Sequence, residues 1–445
     1  MKSGTVVLAT ARTPFGRLGG ALSSLAATTL GAEAIRSALL RAGVPPADVD
    51  HVIMGQVIQA GAGQAPARQA AFKGGLAKTT TAETVNKVCA SGLLAVAYGA
   101  RYVADGDARV VVAGGMESMS NAPYLLPGAR AGYRYGDGVL VDAMIRDGLW
   151  DAYFDEAMAA QGAKVAAELG VTRAVQDEFA YRSHQRAHAA HEAGHLDAEL
   201  VPLNVATKAK GKIVVDAVPE QARARVPALA GGNGAASVWQ HVPPASMVAD
   251  PAQYSPYVSG EVPFTRVDRD EPVRADASLE AMAKLKPLDA GGTITAGNAP
   301  GVNDGAAAVV LSSHEYARGI GAAPIAEIVD HAGVAWDPPY LALTPAMAAQ
   351  KLLDKHGMSA RDIAVWEINE AFAAVALTAA TRLGLDPEVV NVQGGAVALG
   401  HPIGASGARI VGAVVQQLRR RGGGYGIAAI CSGGGQGDAL LVKVS

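Results

Sequence analysis

The sequence predicts an α/β protein made of two similar halves separated by a loop-rich region. Three observations carry that prediction. Short β-type runs alternate with amphipathic helical stretches in both terminal thirds, the pattern of a helix-covered, largely parallel sheet. The same order of elements returns near the C-terminus with fragments of similar text. Between the two, the periodicity gives way to Gly, Pro and Asp.

Taken in order, Thr5 to Ala9 reads as a short buried strand. Leu30, Ala34, Ile35, Ala38 and Leu39 mark a helix that stops at Gly43, before Pro45 and Pro46. His51 to Gln56 is a second strand, and the β-branched run Thr79 to Val85 is a strand or an extended approach. A helix follows Cys89, and a further strand from Arg109 to Ala113 is closed by Gly114 and Gly115. In the C-terminal third, Ile325 to Ala332 is strand-like and Pro345 to His356 is a helix with proline in its first turn. Then come a strand at Val365 to Ile368, a helix from Ala371 and a strand at Val389 to Val392. A helix from Ser406 to Arg420 and a strand from Tyr425 to Cys431 complete the set. Pro45 to Gln56 resembles Met358 to Glu370 in pattern, and Ala90-Ser91-Gly92 returns as Ala405-Ser406-Gly407, each opening a helix. This is the mark of a duplicated half.

The chain of 445 residues is long for one core, so two or three domains are expected. Half of it is hydrophobic and 18% is charged, which excludes a disordered protein. A net charge of −3 offers no basic footprint for nucleic acid or an anionic membrane surface. The two cysteines, Cys89 and Cys431, make no disulfide framework and point to a reducing compartment. MKSGTVVLATARTPFG has no apolar signal core, and no run is long enough to span a bilayer. A soluble, cytoplasmic protein is expected. The boundaries read as 1–118, 119–289 and 290–445, with an atypical insertion at about 215–263.

Cys89 lies in NKVCASG (Asn86 to Gly92), at a strand-to-helix junction. There the positive end of the helix dipole favours thiolate over thiol. Free cysteine is otherwise a buried small hydrophobe, so partners decide the matter. His401 lies in GGAVALGHPIGASG (Gly394 to Gly407), on a rigid turn framed by Gly400, Pro402 and Gly404, which suits a base that approaches a thiol and a substrate together. CSGGGQG (Cys431 to Gly437) follows a strand and offers backbone N–H groups as an oxyanion hole, where a plain glycine turn is the alternative. Asn369, in Asn369-Glu370-Ala371-Phe372, is either a helix cap or the holder of a water against developing negative charge.

These four segments, in this order, resemble the thiolase family. RTPFG (Arg12 to Gly16), GGMESMS (Gly114 to Ser120) and GNAPGVNDGAAA (Gly297 to Ala308) fit the same family. The likeness covers nearly the whole chain apart from Val215 to Pro263. It implies a five-layer αβαβα fold of two duplicated halves, with an inserted loop domain that holds coenzyme A. It also implies a homodimer or homotetramer. The implied activity is a reversible Claisen condensation of two acetyl-CoA to acetoacetyl-CoA, or thiolysis of 3-ketoacyl-CoA, by a ping-pong route. Cys89 would become acylated, and His401 would activate it. Asn369 would hold a water that stabilises the oxyanion with His401. Cys431 would be the second acid/base, and the N–H groups of Cys89 and Gly433 the other oxyanion hole. No tightly bound cofactor is implied; coenzyme A is substrate and product. Arg274 matches a basic residue near the CoA phosphates, and Leu149, Met158, Ala296 and Phe372 match the pantetheine channel. The chain departs from the family at Ala157, where acetoacetyl-type members often have His. It departs again at Pro300, where Ser is frequent. Both departures bear on the acyl chain and on CoA binding.

His184, His188, His191 and His195 form a helical stripe at a spacing that can bind metal. The helix also carries Arg182, Arg186 and Glu192 and resembles a thiolase surface helix, so no metal site is expected. Three other readings compete: a degradative thiolase for longer chains, a ketosynthase-like condensing enzyme, and a non-catalytic CoA- or lipid-binding protein. Ketosynthases use two histidines where this chain offers His401 and Cys431, and a binding module has no need of the full quartet. The insertion carries Trp239, Tyr254 and Tyr257, which predicts that it is ordered and docked away from the Cys89 pocket.

Overall fold

The computed structural model describes residues 4–206 and 264–445. Two compact units are distinguished, Met1–Val205 with Thr265–Ser445, and Ala206–Phe264. The insertion at 215–263 lies outside the described residues, and so does the expectation that it is docked. All that follows concerns the first unit.

Its elements begin with β1 (Thr5–Arg12), α1 (Ala27–Ala42), β2 (His51–Gly55), α2 (Pro66–Lys73), β3 (Thr81–Val85), α3 (Ser91–Asp105) and β4 (Val110–Ser118). Helices α4 (Met158–Glu168) and α5 (Arg173–Glu192) follow, then β5 (Asn303–Ser313). The second series is β6 (Ala326–Ala335), α6 (Thr344–His356), β7 (Ile363–Ile368), α7 (Ala373–Leu383), α8 (Ser406–Arg421), β8 (Gly424–Ser432) and β9 (Gln436–Val444).

Along the sheet the strands run β3-β2-β4-β5-β1-β6-β9-β8-β7. Reading outward from the β1–β6 seam, the two series repeat one topology. In the first, β1 pairs antiparallel with β5, β5 antiparallel with β4, β4 parallel with β2, and β2 parallel with β3. In the second, β6 pairs antiparallel with β9, β9 antiparallel with β8, and β8 parallel with β7. A parallel bridge from Trp366 to Val390 stands where the fifth strand would be. The seam itself is two residue pairs, Val6 with Glu327 and Val7 with Ala326. The duplication is therefore one of topology.

Alternate strand residues face different layers, and both faces are buried, so the strands read as near-continuous apolar runs. Val110, Val112, Ala306 and Ala308 pack with α1 and α2. Their neighbours Val111, Ala113, Ala307 and Val309 pack with α3 and α8, as do Ala428, Ile430, Leu440 and Val442 of the second series. Ile427, Ala429, Ala439 and Leu441 face α6 and α7. Helices, sheet, shared helices, sheet and helices make the five αβαβα layers.

Three expectations need correction. The sheet is mixed, because β5 and β9 add antiparallel pairings that the Ala- and Gly-rich text around them concealed. The strand expected at Val389 to Val392 is a single bridge. Pro387 and the Asp386 carboxylate, which accepts the Glu388 N–H at 3.0 Å, turn the chain there instead. Gly114 and Gly115 do not close their strand, which continues to Ser118.

Candidate active site

The middle helix layer sets the site. Helices α3 and α8 meet through glycines at their N-terminal ends. A Cβ on Gly92 would lie 2.8 Å from the Gly404 carbonyl oxygen and 2.9 Å from the Ala408 nitrogen, and one on Gly407 would overlap the Leu93 nitrogen. Glycine is required for so close an approach. The loops ahead of these helices carry Cys89 and His401, which are thereby brought together from opposite ends of the chain.

Cys89 stands on a strained turn. Val88 has φ +46°, a left-handed backbone unusual for a β-branched residue and costing about 1–3 kcal/mol. Asn86 Oδ1 accepts the Val88 N–H at 3.0 Å, and Ser91 Oγ accepts the Lys87 N–H at 2.8 Å and donates to Val88 C=O at 2.6 Å.

His401 is buried, and its backbone N–H donates to Asn303 Oδ1 at 2.8 Å. Its Nδ1 lies 2.6 Å from Ser406 Oγ, whose own proton goes to Pro402 C=O at 2.9 Å. The serine hydroxyl has one proton, so Nδ1–H must be the donor to Oγ, and Nε2 is left with a free lone pair. That is the tautomer of a base. Nε2 is buried without a hydrogen-bond partner among the described residues. Burial, with Arg409 acting in the same direction, lowers His401 to about 3, so the ring is neutral at physiological pH.

A cavity of about 400 Å³ joins these groups. Cys89, His401, Cys431 and Gly433 line it, together with Leu149, Met158, Pro300 and Phe372. Eight of the residues singled out from the sequence thus share one space. Asn369 sits at the end of β7, fully buried. It is not a helix cap: Phe372 holds that position on α7, and Asn369 Nδ2 and Oδ1 have no partner among the described residues. Its neighbour Ala371 lines the cavity. Ala157 lines it too, while Ala296 and Arg274 do not. Arg274 is exposed, and its N–H donates to His184 Nδ1 at 3.2 Å.

The electrostatics oppose one sequence expectation. Burial pushes the Cys89 thiol up to about 12, and the Glu117 carboxylate adds to the shift, so the resting group is a thiol despite the helix start. Burial also raises Cys431 well above the ordinary thiol range, and the charge of Cys89 raises it further. The two cannot easily ionise together. Alkylation of Cys89 by iodoacetamide is therefore expected to accelerate about tenfold per pH unit between about pH 7 and 9, following the thiolate fraction. A rate that levels off below pH 8 would restore the thiolate of the helix-dipole argument.

Glu117 lies within the GGMESMS run. It is fully buried and accepts N–H bonds from Val57 at 3.0 Å, Ile58 at 3.2 Å and Gly404 at 3.0 Å. One carboxylate thus ties the first half to the His401 loop. A lone charge in an otherwise apolar strand was the available signal. Ser406 likewise had a signal, five residues beyond His401 at the start of a helix.

Two histidines of the stripe, His184 and His191, are engaged within the protein. His184 accepts from Arg274, and burial lowers it to about 4; His191 Nε2 lies 3.1 Å from Asp270 Oδ2, within a buried group that includes Arg12. Among the described residues no cluster of His, Cys, Asp and Glu could hold a metal ion, and no helix is long and apolar enough to cross a membrane.

A strained thiol-bearing turn, a neutral histidine, a second buried thiol and a glycine hairpin define a site able to run thiol-based acyl transfer. Comparison with known proteins agrees. Residues 5–230 and 257–315 match the family described as Thiolase, N-terminal domain, and residues 322–444 match Thiolase, C-terminal domain. The unmatched 231–256 fall inside the insertion read from the sequence. The acetyl-CoA acetyltransferase of Cupriavidus necator is 43% identical over 439 residues, covering 98% of each chain. That of Escherichia coli is 41% identical over 440 residues, with 98% of each covered. A probable acetyl-CoA acetyltransferase of Mycobacterium tuberculosis is 42% identical over 440 residues, covering 99% of each. The chain belongs to the thiolase family.

Proposed function

We propose that the protein is an acetyl-CoA C-acetyltransferase that condenses two acetyl-CoA into acetoacetyl-CoA and runs in reverse as thiolysis. The carrying observation is the single cavity lined by Cys89, His401, Cys431 and Gly433. In the first half-reaction His401 Nε2 takes the Cys89 thiol proton, and the thiolate attacks the thioester carbon. The tetrahedral oxyanion is held by backbone N–H groups of Cys89 and Gly433. Coenzyme A then leaves with the proton from His401.

Once acylated, Cys89 can no longer ionise, so the charge that would oppose a Cys431 thiolate cannot form. Cys431 passes its thiol proton to His401 Nε2 and, as thiolate, takes the α-proton of a second acetyl-CoA. The resulting enolate, stabilised by His401 and a water held on Asn369, attacks the acyl carbon. The expelled Cys89 sulfur recovers the proton held on His401, which returns both thiols and the neutral imidazole. Coenzyme A is substrate and product, and no resident cofactor is needed.

The cavity walls favour a second reading of chain length. Leu149, Met158 and Leu341 are aliphatic, and Ala157 and Pro300 present neither imidazole nor hydroxyl, so thiolysis of longer 3-ketoacyl-CoA is compatible with the same chemistry. A homodimer or homotetramer in the cytoplasm completes the proposal. The oligomer is supported by β3, which ends the sheet with one edge unpaired among the described residues.

Incubation with acetyl-CoA should place one acetyl group on Cys89, read by peptide mass spectrometry, with release of free coenzyme A. No acetyl group on a folded protein would refute the proposal. Turnover across a series of 3-ketoacyl-CoA lengths separates the two chain-length readings.

A further inference from the structure

The loop bearing Cys89 is anchored at a residue that the chemistry above does not use. Lys87 Nζ lies 2.7 Å from Asp438 Oδ2, and Asp438 is fully buried on β9. The other carboxylate oxygen, Oδ1, lies 2.8 Å from His331 Nε2 on β6. Arg101 Nη2 faces His331 Nδ1 at 3.5 Å from the far side. Gly333 stands opposite Asp438 in the β6–β9 register, and a Cβ there would sit 3.2 Å from Asp438 Oδ1 and 3.6 Å from Lys87 Nζ. A second tie uses the backbone: Ser432 Oγ donates to Lys87 C=O.

The sequence positions give these ties their meaning. Lys87 is two residues before Cys89, and Ser432 directly follows Cys431. Asp438 is the third residue of β9, just beyond the glycine hairpin that lines the cavity. Both ties therefore join the loop of one thiol to the loop of the other. Val88, between the anchor and Cys89, holds a left-handed backbone that local preference would release. A buried ion pair adds little net stability over an apolar pair, but it fixes geometry where its charges must meet.

We propose that Lys87, clamped by Asp438 and Ser432, is a positioning residue that sets Cys89 against Cys431 for both half-reactions. The inference rests on the acyltransfer reading, and its test keeps the two separable. In Lys87→Met, kcat should fall about 10²-fold, the cost of a misplacement on the order of 1 Å, while KM stays within about twofold. The variant also takes the lysine from Asp438 Oδ2 and leaves the buried carboxylate held on its other oxygen by His331, so its melting temperature should drop. The double variant Lys87→Met/Asp438→Asn removes the carboxylate charge left without its lysine. It should recover melting temperature and keep the loss in kcat. Ser432→Ala leaves the ion pair in place and should lose about tenfold in kcat with KM unchanged.

Recovery of kcat along with melting temperature in the double variant would reduce Lys87 to a stabilising role and overturn the proposal. So would kcat within about twofold of wild type in both the double variant and Ser432→Ala, or a loss confined to KM. Iodoacetamide alkylation of Cys89 supplies a readout free of turnover, and the released turn should react faster in the double variant at fixed pH. If the wild-type protein forms no acetyl-Cys89, the acyltransfer reading fails by itself. An unchanged alkylation rate would still count against the clamp.

Discussion

Cys89→Ala is expected to carry no acetyl group after exposure to acetyl-CoA, whereas Cys431→Ala should carry one and turn over about 10²–10⁴-fold more slowly than wild type. The two thiols share a cavity but not an environment. Cys89 is half-buried on the Val88 turn ahead of α3, open to a thioester. Cys431 is buried near the end of β8, packed with Leu341, Ala371 and Val375. Its place suits a proton carrier more than a nucleophile. Loss of Cys431 also removes a competing acid beside Cys89, which leaves the first half-reaction intact. Rapid quenching with acetyl-CoA, followed by peptide mass spectrometry, distinguishes the steps. If Cys431→Ala lost acetylation as completely as Cys89→Ala, the division of labour between them would be wrong.

The nucleophile, the base and the second thiol were legible because each lies in a short run whose glycines and proline describe a local turn. Leu149, Met158, Pro300 and Phe372 reached the cavity on the strength of family resemblance, which encodes tertiary position that spacing alone does not. Arg274 and Ala296 came by the same route and lie off the cavity lining. What was illegible depends on distant partners. Glu117 matters through N–H groups of Val57 and Gly404, and Lys87 through Asp438 on the last strand. The sign of the Cys89 shift was misread for a related reason. A helix dipole is a local feature, while the burial that outweighs it is set by packing of both halves. The missed antiparallel strands follow the same logic: in β5, Gly305 to Ala308 gives no strand signature, and its neighbours β1 and β4 hold it extended.

Gly115→Ala is expected to be the most damaging single methyl group that can be added to the first half. Strand β4 passes directly beneath the His401 loop, and a Cβ on Gly115 would overlap the carbonyl oxygen of Gly404 and lie 2.7 Å from its carbonyl carbon. It would also lie 2.9 Å from Ala405 Cα. Every atom met is backbone, so no side chain can rotate away. Overpacking a tight core usually costs about 1–3 kcal/mol, and overlap with fixed backbone belongs at or beyond the upper end. The loop that must yield donates the Gly404 N–H to Glu117 and carries His401 three residues earlier. Any folded fraction should therefore acetylate Cys89 poorly, beyond what lost stability explains. Gly319→Ala is the matching control: nothing lies within 4 Å of its Cβ position at the end of a short helix. That change should be neutral or stabilise by about 0.4–1 kcal/mol through the unfolded chain. Thermal melting and acetyl-CoA labelling of both variants decide the matter. A Gly115→Ala protein that melts with the wild type and labels at full rate would mean that the Gly404 loop can move aside without disturbing His401, and the close backbone approach would then be incidental to the site.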